Sequence, residues 1–223
     1  MNIIQLYWNT VKKVFAHPRA FFQHLPSQGG ISTPLAYALV THWIGTGVSY
    51  LWTLRLQLAH SSWLEELLSE ISEEIHYSGK SALVGQAQQF FSTWISSLGM
   101  VILDPFLILI KILVTSLFVF IAARILVTPG RGDRPQVIQY KAAVQVISYG
   151  LTPSLLMGIP WIGSSIAMIY TFFLTIIGIR SYYRVSTLRG IVIYLFPYFI
   201  IFGIIGLGSL AVLAFIAAVG FLI

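Results

Sequence analysis

The chain has 223 residues, of which 57% are hydrophobic and 9% are charged, whereas a soluble domain carries roughly 25% charged residues. It has no cysteine, which excludes disulfides, thiolate catalysis and thiolate metal sites. The formal net charge is +6, but the basic residues lie in short segments beside hydrophobic runs, a pattern typical of membrane orientation. The composition therefore predicts an all-α, polytopic membrane protein that binds no nucleic acid.

Residues 1–31 predict helices at the membrane surface. Apolar side chains recur at three- and four-residue spacing from Ile4 onward, while two lysines fall on other faces of the same helix. The pair His17-Pro18 ends this amphipathic helix, because the residue before a proline is pushed out of the α region. Pro18 can then begin a short second helix that continues through Phe22.

Five hydrophobic runs are long enough to cross a bilayer, since about 20 helical residues span its ~30 Å hydrocarbon core. Two of these runs begin with a capping side chain followed by proline, Thr33-Pro34 and Asp104-Pro105, which favours a helix start at each. The sequence predicts five transmembrane helices, with the bounds 32–59, 105–127, 136–158, 160–179 and 190–216.

Residues 60–103 form the longest connection, which we expect to contain two amphipathic helices on the outer side. Ser62 to Glu65 reads as a capping box, and an apolar stripe then runs opposite five glutamates as far as Ser78-Gly79. Carboxylates in this pattern usually form a solvated helix face rather than a catalytic or cation site. A second stripe begins at Ala82, and it fits either a helix at the interface or a span that starts near Thr93.

The distribution of Lys and Arg predicts the orientation. Ten basic residues belong to the segments on one side of the five predicted spans, whereas Arg55 and Lys80 belong to the other side together with all five glutamates. Because basic loops stay in the cytoplasm, we expect the N-terminus inside and the C-terminus outside, most simply in a bacterial inner membrane. The inner basic segments would contact anionic lipid.

Lys111 is the intramembrane residue that most needs an explanation. An ionisable group inside a span costs at least ~2.5 kcal/mol unless it pairs, snorkels or lines a wet cavity. Lys111 can snorkel towards the outer surface, where Asp104 lies seven residues back on nearly the same face. Alternatively, it lines a cavity accessible to lipid or solute, together with polar side chains of the third span such as Tyr149 and Thr152.

Other residues within the predicted spans have structural interpretations. His42 lies near the middle of the first span, where a lone histidine is most often a hydrogen-bonded packing residue. Kinks are predicted where a proline removes a backbone donor, and small residues predict close helix packing. The predicted kinks are at Gly150, Pro153 and Pro197, and the predicted packing positions are Gly45, Ser49, Gly206 and Ala211.

Two segments carry a resemblance to a known family. These are Val14-Phe15-Ala16-His17-Pro18-Arg19-Ala20-Phe21-Phe22 and Tyr149-Gly150-Leu151-Thr152-Pro153, the latter leading into Gly158-Ile159-Pro160. With five predicted spans, they resemble the Yip family of integral membrane proteins, the Ypt/Rab-interacting type, in its prokaryotic form. The resemblance implies five spans, oligomerisation with like proteins, and a role in membrane trafficking or organisation through partner binding.

The expected function is therefore non-enzymatic. No catalytic motif, cofactor site or metal site is apparent, and the chain is expected to act through helix–helix contacts as a homo-oligomer or within a membrane-protein complex. The alternative is a lipid or small-solute transporter or channel, whose pathway would run past Lys111, His42 and the kinked third span.

Overall fold

In the computed structural model, the backbone is described for residues 2–25, 30–72, 79–127 and 138–220. Side chains are described for the same ranges except 57–98, 100–101, 211 and 213–220. Seven α-helices and one 3-10 helix make up these ranges. They are α1 (Ile3–Ala16), α2 (Pro18–Gln23), α3 (Ser32–Ser72), α4 (Gly79–Leu126), α5 (Tyr140–Gly150), the 3-10 helix (Thr152–Gly158), α6 (Gly163–Tyr183) and α7 (Thr187–Gly220).

The chain forms two compact units that differ in charge. The first, here called the basic unit, comprises Met1–Leu35, Ile112–Gly150 and Phe172–Ile223. Its sequence contains ten basic residues and one acidic residue, a net charge of +9. The second, here called the acidic unit, comprises Ala36–Lys111 and Leu151–Thr171, with three basic and six acidic residues and a net charge of −3.

Helices α1 and α2 follow the signals in their sequence. The side chain of Asn2 caps α1 by accepting a hydrogen bond from the amide of Ile4 at 3.4 Å. Helix α1 ends before His17, and Pro18 begins α2, because a proline in the first turn has no amide that would need a partner. Phe22 of α2 is fully buried in the basic unit.

Helix α5 lies at the core of the basic unit. Every residue from Ala142 to Ser148 is buried, so protein surrounds this helix on all sides. Phe21 packs edge-on against Tyr149, with 5.0 Å between the ring centroids. Gly178 of α6 lies so close to Val146 and Phe22 that a Cβ there would approach them to 2.9 and 3.1 Å.

The predicted role of Asp104 as a helix cap is wrong, because Asp104 lies inside α4. The helix is continuous from Gly79 to Leu126 and contains Pro105 in its interior. A proline removes one hydrogen bond from a helix, and transmembrane helices tolerate this where neighbouring groups satisfy the freed carbonyl. The same Asp-Pro pair can start a helix or interrupt one, and here the residues before it are themselves helical.

Helix α3 corrects a second predicted start, the capping box at Ser62. The helix runs without a break from Ser32 to Ser72, so Ser62 lies in its interior. The side chains of the five glutamates and of the stripe from Ala82 lie outside the described residues, and so does the predicted break at Ser78. Which of these segments lies outside the membrane stays a prediction.

The predicted kinks have different local structures. Helix α5 ends at Gly150, and the 3-10 helix begins at Thr152 with Pro153 in its first turn. The backbone therefore changes its hydrogen-bond pattern between Gly150 and Pro153. Pro197 lies inside the continuous helix α7, and a bend there stays a prediction.

In the part of the chain that the structure describes, three helical segments are long and apolar enough to cross a membrane. They are Ile102–Leu126, Gly163–Tyr183 and Thr187–Leu210. These segments overlap the second, fourth and fifth predicted spans. The first and third predicted spans correspond to α3 and to α5 with the 3-10 helix, and their passage through the membrane stays a prediction. Because protein surrounds α5, this helix does not need the apolar surface of a helix that contacts lipid.

Candidate functional site

The candidate site is a cluster of polar side chains on α3 and α4 within the acidic unit. Helix α3 buries Tyr37, Thr41, His42 and Gly45, which at about 100° per residue lie on one broad helix face. Buried polar groups are costly unless they are hydrogen-bonded, so the partners of this face decide what it can do.

His42 and Asp104 form the centre of the cluster. His42 Nε2 lies 3.1 Å from Asp104 Oδ2 and 3.3 Å from Oδ1, and 62 residues separate the two in sequence. The His42 side chain is 11% exposed, whereas that of Asp104 is 30% exposed. The pair is thus enclosed on the α3 side and accessible on the α4 side.

Thr46 is the third member of the cluster. Its hydroxyl lies 3.3 Å from Asp104 Oδ2 and 2.9 Å from the carbonyl oxygen of His42. The carbonyl oxygen of Trp43 lies 3.4 Å away as well, so the single hydroxyl proton of Thr46 is shared among three acceptors. His42 and Thr46 are one helical turn apart on α3, which lets both reach the same carboxylate on α4.

The 3-10 helix packs close beside this part of α3. The hydroxyls of Tyr37 and Thr152 are hydrogen-bonded at 3.0 Å, and both residues are buried. Gly45 lies directly against the carbonyl of Ser154, and a Cβ at Gly45 would collide with that backbone. Farther along, a Cβ at Gly158 would meet Val48 at 3.0 Å. The absence of a side chain at Gly45 is therefore what permits the close approach.

The cluster can hold and orient a proton. Nε2 of His42 donates to the carboxylate, either from the neutral tautomer protonated at Nε2 or from the imidazolium. Among the described residues, Nδ1 of His42 is buried without a hydrogen-bond partner. The pair is neutral overall only when His42 is the imidazolium, because the neutral tautomer leaves the carboxylate charge uncompensated.

The cluster lacks the ligands of a metal site and the hydrogen-bond geometry of a nucleophilic catalytic site. Within the described residues, no group of three or more His, Cys, Asp or Glu side chains could hold a metal ion. The acceptor, the imidazole and the hydroxyl make an Asp-His-Thr arrangement in which the hydroxyl points to the carboxylate and to a backbone carbonyl. In a nucleophilic triad the histidine accepts the proton of the hydroxyl, and that contact is missing from this arrangement.

Comparison with protein-family models shows to which family the chain belongs. The family model described as Yip1 domain matches residues 12–210. This chain belongs to the Yip1 domain family. The match includes the whole polar cluster and the three candidate spans, so the Yip1 domain accounts for most of the chain. No curated protein and no solved structure matches the sequence.

Lys111 of this Yip1 domain lies on the surface of the protein. Its side chain is exposed, and apolar neighbours such as Ile110 and Val114 are exposed beside it. Asp104 is bonded to His42 and Thr46 instead of to Lys111. Seven residues of helix separate Asp104 and Lys111 by about 10 Å, which explains why the nearer His42 takes the carboxylate. An exposed lysine in this position is geometrically able to snorkel.

The two remaining polar residues predicted for the third span fall in different units of the Yip1 domain. Thr152 belongs to the acidic unit, where it is buried and bonded to Tyr37. Tyr149 belongs to the basic unit, where its ring packs against Phe21. The predicted group therefore contains a subset, His42, Asp104 and Thr152, that lies within one unit with well-defined partners.

The predicted packing positions also divide. Gly45 contacts the backbone of Ser154, and Ser49, one turn farther along α3, is half-buried. Gly206 has open space around it among the described residues, and the side chain of Ala211 lies outside them.

The sequence does not single out Tyr37 and Thr46, although one signal for Thr46 is present. The four-residue spacing of His42 and Thr46 places an imidazole and a hydroxyl on one face of an otherwise apolar helix. That pattern indicates a shared polar partner on another helix. Its identity as Asp104 depends on the packing of α3 against α4, which the spacing alone does not specify.

Proposed function

We propose that this Yip1 protein is a non-enzymatic membrane component that acts in membrane organisation or trafficking by binding other membrane proteins. Its contacts would be made between transmembrane helices, in a homo-oligomer or in a complex with other chains. The observation that carries the proposal is the segment 201–210 of α7, which is apolar, contains glycines on one face and is largely uncovered among the described residues.

Helix α7 is the least covered of the three candidate spans. In the most apolar window of each span, 17% of positions are buried for Thr187–Leu210, against 33% for Ile102–Leu126 and 39% for Gly163–Tyr183. Gly203 and Gly206, three residues apart on one helix face, both lie in the segment 201–210. A Cβ at either of them would meet no other heavy atom within 4 Å among the described residues.

Lipid alone gives no physical reason for these glycines. A glycine inside a helix is less favourable than alanine by about 1 kcal/mol, and larger apolar residues contact lipid equally well. Small residues are advantageous where another helix approaches closely, because the backbones can then come into van der Waals contact. This supports a partner helix at the segment 201–210 of α7.

Single-cysteine crosslinking in native membranes tests the proposal, since the wild-type chain has no cysteine. At about 100° per residue, Leu207 and Leu210 lie on the same face as Gly203 and Gly206, whereas Ile205 and Val212 lie on the opposite face. With a photoactivatable maleimide crosslinker attached to the cysteine, we expect the L207C and L210C variants to form adducts with a second copy or with another protein, whereas I205C and V212C give no adduct. Equal crosslinking on both faces, or none on either, would contradict the proposal.

A matched substitution checks that the glycine face itself is needed. The Gly206→Leu variant should lose the L210C adduct while its own fold is retained, because no described neighbour occupies the space at Gly206. Retained crosslinking in this variant would contradict close helix contact at this face. Mass spectrometry of the adduct distinguishes a homo-oligomer from a complex.

The proposed location is a bacterial cytoplasmic membrane, with the N-terminus inside and the C-terminus outside. The net charge of +9 in the basic unit supports this orientation, because basic segments are retained on the cytoplasmic side. A cysteine at Lys13 should react with an impermeant thiol reagent only after the membrane is opened. A reaction in sealed cells would reverse the orientation.

Transport is the second candidate function, and the His42–Asp104 pair is the observation that favours it. Pairs of ionisable groups within membrane helices commonly mark ion or proton pathways. The Asp104→Asn variant should then abolish a proton-coupled flux in vesicles while the protein still folds. The Lys111→Met variant tests the predicted pathway, and an unchanged flux or phenotype would remove Lys111 from it.

A further inference from the structure

The first two turns of α1 leave large apolar side chains uncovered. Ile3 is 82% exposed, Ile4 62% and Trp8 48%, and Leu6 is exposed as well. The later turns of the same helix bury Val11 and Val14 in the protein. Helix α1 therefore starts uncovered and becomes packed along its length.

The uncovered and the packed parts belong to one apolar face. Ile4 and Val11 are seven residues apart, two turns of helix, and Ile3 projects close to the direction of Val14 at 3.6 residues per turn. The face that packs on the protein at Val11 and Val14 thus continues past its edge through Ile3 and Ile4. Another apolar phase must cover that continuation, because water would leave these side chains exposed at a substantial cost.

The charges around α1 indicate what the covering phase is. Lys12 and Lys13 are exposed on the faces away from the packed side, and Arg19 of α2 is exposed nearby in sequence. The first 64 residues contain no acidic residue. A surface complementary to this region is negatively charged at its edge and apolar beneath, which describes a leaflet of anionic phospholipid.

We propose that α1 lies in the interface of an anionic leaflet, with Ile3 and Ile4 among the acyl chains and with Lys12 and Lys13 at the lipid phosphates. Trp8 sits at the boundary, where the amphipathic indole is favoured. The helix joins lipid to the core of the basic unit, because the same apolar face continues into the buried Val11 and Val14. This inference is independent of the partner helix at α7.

Depth measurements on the full-length protein in vesicles test the proposal. Single cysteines at Ile4 and at Gln5 carry an environment-sensitive fluorophore, and Gln5 is the matched control because it is also exposed but lies on another helix face. In phosphatidylcholine vesicles containing phosphatidylglycerol, we expect brominated acyl chains to quench the probe at Ile4 and to leave the probe at Gln5 bright. Equal quenching at both positions would overturn the proposal.

The lipid charge is tested with the same probe. Replacing both Lys12 and Lys13 by Gln should lower the equilibrium between inserted and withdrawn first turns roughly 30-fold in anionic vesicles, from the contribution expected of two lysines at such a surface. Arg55→Gln, an exposed change in the acidic unit, is the control and should leave quenching unchanged. Quenching at Ile4 that is the same in neutral and anionic vesicles, or that survives the double lysine change, would overturn the anionic part of the proposal.

Discussion

The acidic and the basic unit are built from similar apolar helices, but different contacts hold each of them together. In the acidic unit, α3 meets its neighbours through polar pairs, Tyr37 with Thr152 and His42 with Asp104, and through the backbone of Ser154 against Gly45. In the basic unit the characteristic contacts are between rings and apolar side chains, as for Phe21 with Tyr149 and for Phe22 with Gly178.

The difference follows from charge and from geometry. The basic unit contains ten basic residues and a single acidic residue in its sequence, and this excess of positive charge suits it to contact lipid phosphates. The acidic unit has a carboxylate inside a helix pair, and it satisfies that carboxylate with His42 and Thr46. Contacts with the backbone and directional hydrogen bonds adjust less to a substitution than contacts between apolar side chains do. The acidic unit should therefore tolerate substitution less well than the basic unit.

The largest expected effect comes from a change at the closest backbone approach. Gly45→Leu would push α3 away from the 3-10 helix, because a Cβ at Gly45 already collides with the carbonyl of Ser154. We expect a loss of about 3 kcal/mol in stability or more. Gly47→Leu is the control on the same helix, since no described heavy atom lies within 4 Å of a Cβ there. Thermal unfolding in detergent measures both, and equal stabilities would remove the proposed rigidity of the acidic unit.

The next effect concerns the polar pair. His42→Ala and Asp104→Ala should each destabilise by about 1–2 kcal/mol, and the double variant should lose less than their sum by about 1 kcal/mol, because each single change leaves the other group unpaired. The partial exposure of Asp104 limits these values. A cycle of His42 with the exposed Thr53 should be additive. Additivity for both cycles would show that the ion pair contributes no coupling.

The smallest effect belongs to the basic unit. Gly178→Ala places a methyl group against the side chains of Val146 and Phe22, which can move, so we expect a loss of about 1 kcal/mol. Gly190→Ala meets its nearest atom at 3.6 Å, an ordinary contact, and should be neutral or stabilising by up to about 1 kcal/mol. If Gly178→Ala were as harmful as Gly45→Leu, the two units would not differ in tolerance.

Local signals predict part of the fold. The backbone chemistry of proline and glycine predicts a break at His17-Pro18 and another between Gly150 and Pro153. The structure has a helix boundary at each of these places. At Asp104-Pro105 the same chemistry gives a wrong prediction, because α4 continues through it. A proline removes one backbone hydrogen bond, but this does not decide whether the residues before it are helical. Ser62 misleads for a related reason, since a capping box requires that the preceding residues leave the helix, and those residues of α3 remain helical.

The candidate site divides in the same way. His42, Asp104 and Lys111 can be selected from the sequence, because ionisable residues in apolar runs are costly wherever they pack. The sequence does not show which partner each of these residues contacts. Asp104 and Lys111 share a helix and nearly a face, which suggests a pair, yet the carboxylate is bonded to His42, 62 residues away. Spacing along one helix contains no information about which second helix is adjacent.

Composition and residue spacing by themselves determine that this protein is an all-helical membrane protein, because apolar runs of this length can satisfy their backbone groups in lipid only as helices. They also separate its charges into a strongly basic and a weakly acidic set of segments. Only the tertiary structure decides that Gly45 meets the backbone of Ser154 and that His42 meets Asp104, because both contacts join segments far apart in the chain whose approach depends on the packing of whole helices.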